Sequence, residues 1–99
     1  MPINFDYILH QANTANQEGK LEEAEFLYQK ILQIKPDHIE TYYNLSNILH
    51  KLKKFNEAEI SYKKLIELKP DYPQAYNNLA VNLHKMGKFD EAEISYKKA

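Results

Sequence analysis

The fold of this chain is decided by residues 42–64, YYNLSNILHKLKKFNEAEISYKK, which recur 34 residues later as YNNLAVNLHKMGKFDEAEISYKK at residues 76–98. The run from Glu57 to Lys64 is identical in the two copies. A third, more diverged copy lies upstream and includes residues 19–30, GKLEEAEFLYQK. A repeat of this length that extends over nearly the whole chain indicates a linear array of small units rather than one compact core.

Each copy predicts two helices joined by a short turn, because its apolar residues recur three and four positions apart. In the middle copy the first helix carries Tyr42, Leu45 and Leu49, and the second carries Ala58 and Tyr62. Polar residues that are typical helix N-caps precede these segments. They are Asp37, Asn56, Asp71 and Asp90. The sequence therefore predicts an all-α chain with helices at about 5–17, 21–34, 39–52, 56–68, 73–86 and 90–99.

The overall composition is that of an ordinary globular protein, with 43% hydrophobic and 27% charged residues. The net charge of −1 provides no long-range field for nucleic acid or anionic lipid. The sequence contains no apolar run long enough to span a bilayer, no secretory signal and no cysteine. We therefore expect a cytoplasmic protein with neither a nucleic-acid nor a membrane partner.

Catalytic and metal-binding patterns find no support in the sequence. It offers no Ser/His/Asp or Cys/His set and no phosphate-binding loop. His50 and His84 are equivalent in the two copies, but neither has a carboxylate or thiol at ligand spacing on the same face. We expect these histidines to be solvated or packed against rings, and we expect a protein that is not an enzyme and holds no metal or cofactor.

The repeated positions resemble the tetratricopeptide repeat (TPR) consensus. The middle copy supplies Tyr42, Leu45, Ser46, Leu49, Ala58, Tyr62 and Pro70. The resemblance implies a superhelical solenoid of antiparallel helix pairs, in which the first helices line a concave groove and the second helices form the outside. It divides the single domain into repeats at about 5–38, 39–72 and 73–99. Because the last repeat is incomplete, we expect residues 1–99 to be the N-terminal part of a longer protein.

A row of asparagines on the first helices is the candidate binding site. An asparagine amide presents both donors and an acceptor, so such a row can pair with a peptide backbone. Tyr43 would face the same groove as an aromatic contact. The predicted contacts are Asn13, Tyr43, Asn44, Asn47 and Asn78. The row is similar to the asparagine ladder in the TPR domain of O-linked N-acetylglucosamine transferase, although the same asparagines could instead hold helix termini or face solvent.

Three functions follow from this pattern. The first is a protein–protein interaction module that binds a peptide or protein segment on the concave face. The second is the substrate-presenting or scaffolding front end of a larger enzyme, such as a glycosyltransferase. The third is a structural module that forms homo-oligomers through its uncapped C-terminal repeat. Some TPR proteins bind the C-terminal tails of chaperones through cationic side chains. We do not expect this function here, because the corresponding positions are occupied by Leu9, Gln74 and Asn78.

Overall fold

The computed structural model describes residues 4–99, and within this range the chain forms six α-helices and no strand. The helices are α1 (Phe5–Gln17), α2 (Leu21–Ile34), α3 (Ile39–Lys51), α4 (Phe55–Leu68), α5 (Pro73–Lys85) and α6 (Phe89–Lys98). The all-α prediction is confirmed, and each predicted helix end lies within one residue of the observed end.

The helices pack as three hairpins that stack in a row. α1 packs on α2, α3 on α4 and α5 on α6, and neighbouring hairpins meet through α2 with α3 and α4 with α5. Each hairpin turn has one residue with a left-handed backbone, namely Gly19 (φ +77°), Lys53 (φ +63°) and Gly87 (φ +80°). The outline is elongated, at 48 × 25 × 18 Å, as expected of an array.

The predicted side-chain caps are wrong by one residue at α3 and α5 and by two residues at α4 and α6, whose N-caps are Lys54 and Lys88. α4 and α6 begin at Phe55 and Phe89, so Asn56 and Asp90 lie inside the first turn, and no side-chain hydrogen bond caps either helix. Three-residue turns lead the chain directly into these helices, and acidic residues in the first turn still interact favourably with the helix dipole. Asp37 likewise precedes the actual N-cap of α3, His38, whose Nδ1 lies 2.7 Å from Thr41 Oγ1.

The TPR resemblance predicts that the first helices line the inner side of the array. α3 and α5 touch each other directly across a repeat boundary, in a contact more extensive than any between second helices. We call the surface formed by α1, α3 and α5 the concave face, and the surface formed by α2, α4 and α6 the outer face. Over residues 4–99, no helix has both the length and the apolar character needed to cross a membrane.

Small side chains and tyrosines build the core between the two faces. Ala12, Ala24 and Ala58 are completely buried, and small residues of this kind allow the helix axes to approach closely. Tyr28 and Tyr62 fill the wider gaps with rings that are 0% and 2% exposed. The phenol oxygens of these two rings reach the concave face, where they determine the geometry of the candidate site.

Candidate functional site

An amide cluster lies at the junction of α3 and α5 and consists of Asn47, Tyr62 and Asn78. The Tyr62 hydroxyl donates to Asn47 Oδ1 at 2.6 Å. Asn78 Nδ2 donates to the same oxygen at 3.1 Å. One amide oxygen therefore joins the two helices of the middle repeat and the first helix of the last repeat.

The same pairing occurs one repeat earlier. The Tyr28 hydroxyl donates to Asn13 Oδ1 at 2.5 Å, and the side chains of Asn16 and Asn44 lie close enough to influence the same hydroxyl. Burial raises the pKa of Tyr28 and raises that of Tyr62 well above the usual range of a phenol. Both tyrosines therefore remain protonated and act as donors to the asparagines.

The predicted site residues thus fall into two groups. Tyr43, Asn47 and Asn78 come together at the junction of α3 and α5. Asn13 and Asn44 lie at the preceding junction, around Tyr28. The oxygens of Asn13 and Asn47 are already engaged by tyrosines, which the sequence interpretation missed. The available signal was the constant spacing of 15 residues between asparagine and tyrosine in each pair.

Part of the amide cluster still has hydrogen-bonding capacity. Among residues 4–99, neither Asn47 Nδ2 nor Asn78 Oδ1 has a hydrogen-bond partner. A pocket of about 270 Å³ opens here between α3 and α5. It is lined by Asn47, His50, Lys51, Tyr62, Asn78 and Val81. The pocket therefore offers one donor group and one acceptor side by side, with the apolar Val81 beside them.

Tyr43 forms a fixed aromatic wall beside the amide cluster. Its ring stacks on that of Tyr72, with centroids 5.3 Å apart and planes 15° from parallel. Its hydroxyl lies 3.5 Å from Asn78 Nδ2. Lys69 Nζ lies 4.5 Å from the centroid of the Tyr72 ring and adds a cation–π contact. These contacts hold the Tyr43 ring in one orientation.

Asn82 is a junction residue that the sequence interpretation missed. It is completely buried, and its Nδ2 donates to the Phe55 carbonyl oxygen at 3.0 Å. Its Oδ1 lies 2.8 Å from His50 Nδ1, and because an amide oxygen can only accept, His50 must be the donor. The equivalent residue of the middle repeat is Ile48, so an asparagine at an apolar position was the available signal.

His50 and His84 pack against aromatic rings, which was one of the two environments predicted for them. His50 and His84 contact Phe55 and Phe89 edge-on, with centroids 5.4 and 4.8 Å apart. In the part of the chain that the structure describes, no group of three or more histidine, aspartate or glutamate residues is arranged to hold a metal ion.

Ion pairs link successive repeats on the side of the second helices. Lys54 Nζ lies 2.9 Å from Glu25, and Lys88 Nζ lies 2.9 Å from Glu59. Glu59 also binds Lys63 at 2.6 Å, within its own helix. The hydrogen bonds from Lys63 and Lys88 lower the pKa of the Glu59 carboxyl, although its burial opposes them.

Comparisons with known families and sequences place the chain among helical repeat proteins. A family profile described as tetratricopeptide repeat matches residues 15–61, and another described as TPR repeat matches residues 46–87. No curated protein sequence matches the chain. Similarity to the repeats of O-linked N-acetylglucosamine transferase in particular is not shown.

Solved structures with the same fold include MamA and SycD. The MamA AMB-1 structure matches with a TM-score of 0.93 at 27% identity, over 98% of this chain and 53% of that chain. The Yersinia enterocolitica type III secretion translocator chaperone SycD matches with a TM-score of 0.87 at 19% identity, over 95% of this chain and 70% of that one. The chain therefore spans about half the length of the MamA chain, and the likeness to SycD concerns the fold alone.

Proposed function

Because this chain contains tetratricopeptide repeats and has their all-α fold, we propose that its concave face binds a peptide or protein segment. Binding is the only chemistry that this function requires. The proposed contacts are Asn13, Tyr43, Asn44, Asn47 and Asn78. A cytoplasmic location suits a chain without cysteine.

The proposal rests on the amide groups of Asn47 and Asn78 that remain available. Asn47 Nδ2 can donate to a carbonyl oxygen, and Asn78 Oδ1 can accept from a backbone N–H. One peptide unit carries this same pair of groups, whatever its side chain. The Tyr43 ring lies next to them and offers a rigid apolar surface to the neighbouring side chain. The site is therefore suited to an extended segment with modest sequence preference.

A selection of displayed random dodecapeptides on the immobilised protein tests this function. We expect selected peptides to bind Asn78→Ala and Tyr43→Ala at least about tenfold more weakly, since each loses a direct contact. Asn56→Ala removes an exposed asparagine from the outer face and serves as the matched control, which should bind as the wild type does. Peptides that bind all four proteins equally would contradict the proposal.

A second candidate is that residues 1–99 form the N-terminal TPR domain of a larger enzyme, to which they present substrates. The asparagine row on the first helices motivates this candidate. The mass and transferase activity of the natural gene product test it. An active catalytic domain after residue 99 would support the idea, and a product that contains only repeats would exclude it.

A third candidate is self-association through the last repeat. Tyr96 is 43% exposed, whereas its equivalent Tyr62 is 2% exposed beneath α5. A helix from another copy could cover α6 as α5 covers α4. Light scattering of this chain with and without an added polar C-terminal helix tests the idea, since the added helix should abolish such association.

A further inference from the structure

The outer face carries a row of exposed apolar side chains at one position of every repeat. Phe26, Ile60 and Ile94 are 54%, 71% and 56% exposed. They are separated by 34 residues along the sequence and lie on α2, α4 and α6. The hairpins stack regularly, so equivalent positions follow one another along the array. We call these three residues the outer row.

Opposite charges flank the outer row on its two sides. An acidic residue stands three positions before each member, at Glu23, Glu57 and Glu91. A lysine stands four positions after each member, at Lys30, Lys64 and Lys98. Residues three or four apart on a helix lie on one face. The outer face is therefore acidic along one edge, apolar along the middle and basic along the other edge.

We propose that the outer row is a self-association surface, on which a second copy of this chain docks with its second helices antiparallel. Symmetric docking of two such faces has two orientations. With the two-fold axis parallel to the helices, acidic edges meet acidic edges. With the axis perpendicular to them, the acidic edge of each copy meets the basic edge of the other, while the apolar rows meet in the middle. The charge pattern favours this second arrangement.

The charges needed for this contact are available. Within residues 4–99, neither Glu57 nor Glu91 forms an ion pair, and the same is true of Lys64 and Lys98. Exposed pairs contribute little individually, so their main effect is on orientation. Three large side chains from each copy make a small contact, which corresponds to a weak dimer that forms at high concentration.

Sedimentation velocity from micromolar to near-millimolar concentration tests the apolar part of the surface. We expect the wild-type mass to rise toward that of a dimer, and Ile60→Asp combined with Ile94→Asp to remain monomeric. The matched control is Tyr7→Asp, which places a charge at an exposed aromatic residue of α1, outside the outer row, and should dimerise as the wild type does. A wild type that is monomeric throughout, or a double variant that still dimerises, would overturn the proposal.

Charge reversal tests the antiparallel orientation. Glu57→Lys with Glu91→Lys makes one monomeric variant, and Lys64→Glu with Lys98→Glu makes another. Mixing the two should restore a dimer, because the reversed edges are complementary again. Asp6→Lys with Glu40→Lys, mixed with Lys51→Glu and Lys85→Glu, changes net charge equally on the concave face. If this mixture associates as strongly as the first, general charge attraction is the cause and the proposal fails.

The test is independent of the other proposals. None of the substituted outer-face residues belongs to the concave site, so peptide binding by the concave face should persist in every outer-face variant. Adding a polar helix after α6 should leave the outer-row dimer intact, whereas it would abolish association through Tyr96.

Discussion

The middle and last repeats share an identical run at Glu57–Lys64 and Glu91–Lys98, yet the structure treats the two copies differently. Tyr62 is 2% exposed and Tyr96 is 43% exposed. Glu59 pairs with Lys63 and Lys88, whereas Glu93 pairs only with Lys97 within residues 4–99. The cause is the following repeat: α5 packs on α4 and Lys88 lies in the turn before α6, whereas no described repeat follows α6. In an array, the environment of a residue is set by the next unit as much as by its own sequence.

The largest expected effect of this difference concerns the two tyrosines. Tyr62→Ala should cost about 3–5 kcal/mol of unfolding free energy, because it empties a packed site in the core. Tyr96→Ala should cost about 1 kcal/mol or less, because the ring is half exposed. Urea unfolding followed by circular dichroism measures both. Equal losses would show that α5 does not distinguish the two positions.

Asn82 provides a second comparison between the two repeats. At this position the last repeat has a buried polar residue, whereas the middle repeat has the apolar Ile48. Asn82→Ala should cost about 1–3 kcal/mol, because it leaves the Phe55 carbonyl and His50 without their partner. Asn56→Ala, at an exposed position, should change the unfolding free energy by no more than about 0.5 kcal/mol. Urea unfolding of the two variants provides the comparison, and similar losses would contradict a bridging role for Asn82.

The hairpin turns offer a smaller test. Lys53 adopts a left-handed backbone where the last repeat has Gly87. Lys53→Gly should stabilise the chain by about 1 kcal/mol, because glycine adopts this conformation without a steric penalty. Gly87→Lys should destabilise it by a similar amount. Thermal melting of both variants shows whether each substitution raises or lowers the melting temperature. A loss of stability in Lys53→Gly would mean that the Lys53 side chain makes a compensating contact.

The smallest effect concerns the acidic pair Glu59 and Glu93. The folded-state pKa of Glu59 is lowered below its ordinary value of 4.5, chiefly by Lys63. Its contribution is therefore fully present above that ordinary value and is lost as the pH falls through the lower folded pKa. Glu59→Gln should cost about 1 kcal/mol or less at neutral pH.

Unfolding free energies measured from pH 3 to pH 7 test this linkage. The pH dependence of Glu59→Gln should be flatter than that of the wild type at the acidic end. Glu93→Gln is the matched comparison, because within residues 4–99 Glu93 pairs with Lys97 but has no contact equivalent to that from Lys88. If the unfolding free energies of the two variants have the same pH dependence, the contact from Lys88 across the repeat boundary contributes nothing to stability.

Local signals allowed the helices to be predicted, but contacts between helices could not be read from them. Apolar periodicity and turn residues act within one helix, so the helix ends were predicted to within one residue. The cap positions failed because Asn56 and Asp90 suit either the N-cap or the first turn. Tyr96 fits the core pattern of Tyr62, but its exposure depends on what packs against α6.

The candidate site was predictable only in part. The structure brings Tyr43, Asn47 and Asn78 together, while their role as contacts to a bound segment stays a prediction. The hydrogen bond from the Tyr62 hydroxyl to Asn47 could not be predicted. It depends on how far the tyrosine ring extends through the core, and the sequence does not contain that information. The same limitation concealed Asn82, whose partners come from two different helices.

The hydrogen bond between Asn47 and Asn78 has a mechanical consequence, because it crosses the joint between two repeats. A bound segment that engages both amides would hold the two repeats at a single angle. Binding in the groove would therefore be coupled to the curvature of the array. The coupling is reciprocal: the factor by which binding shifts the equilibrium between array curvatures equals the factor by which that change of curvature alters the binding affinity of the groove. Under the proposed function, the repeat boundary would be both the joint between two units and a contact point for the bound segment.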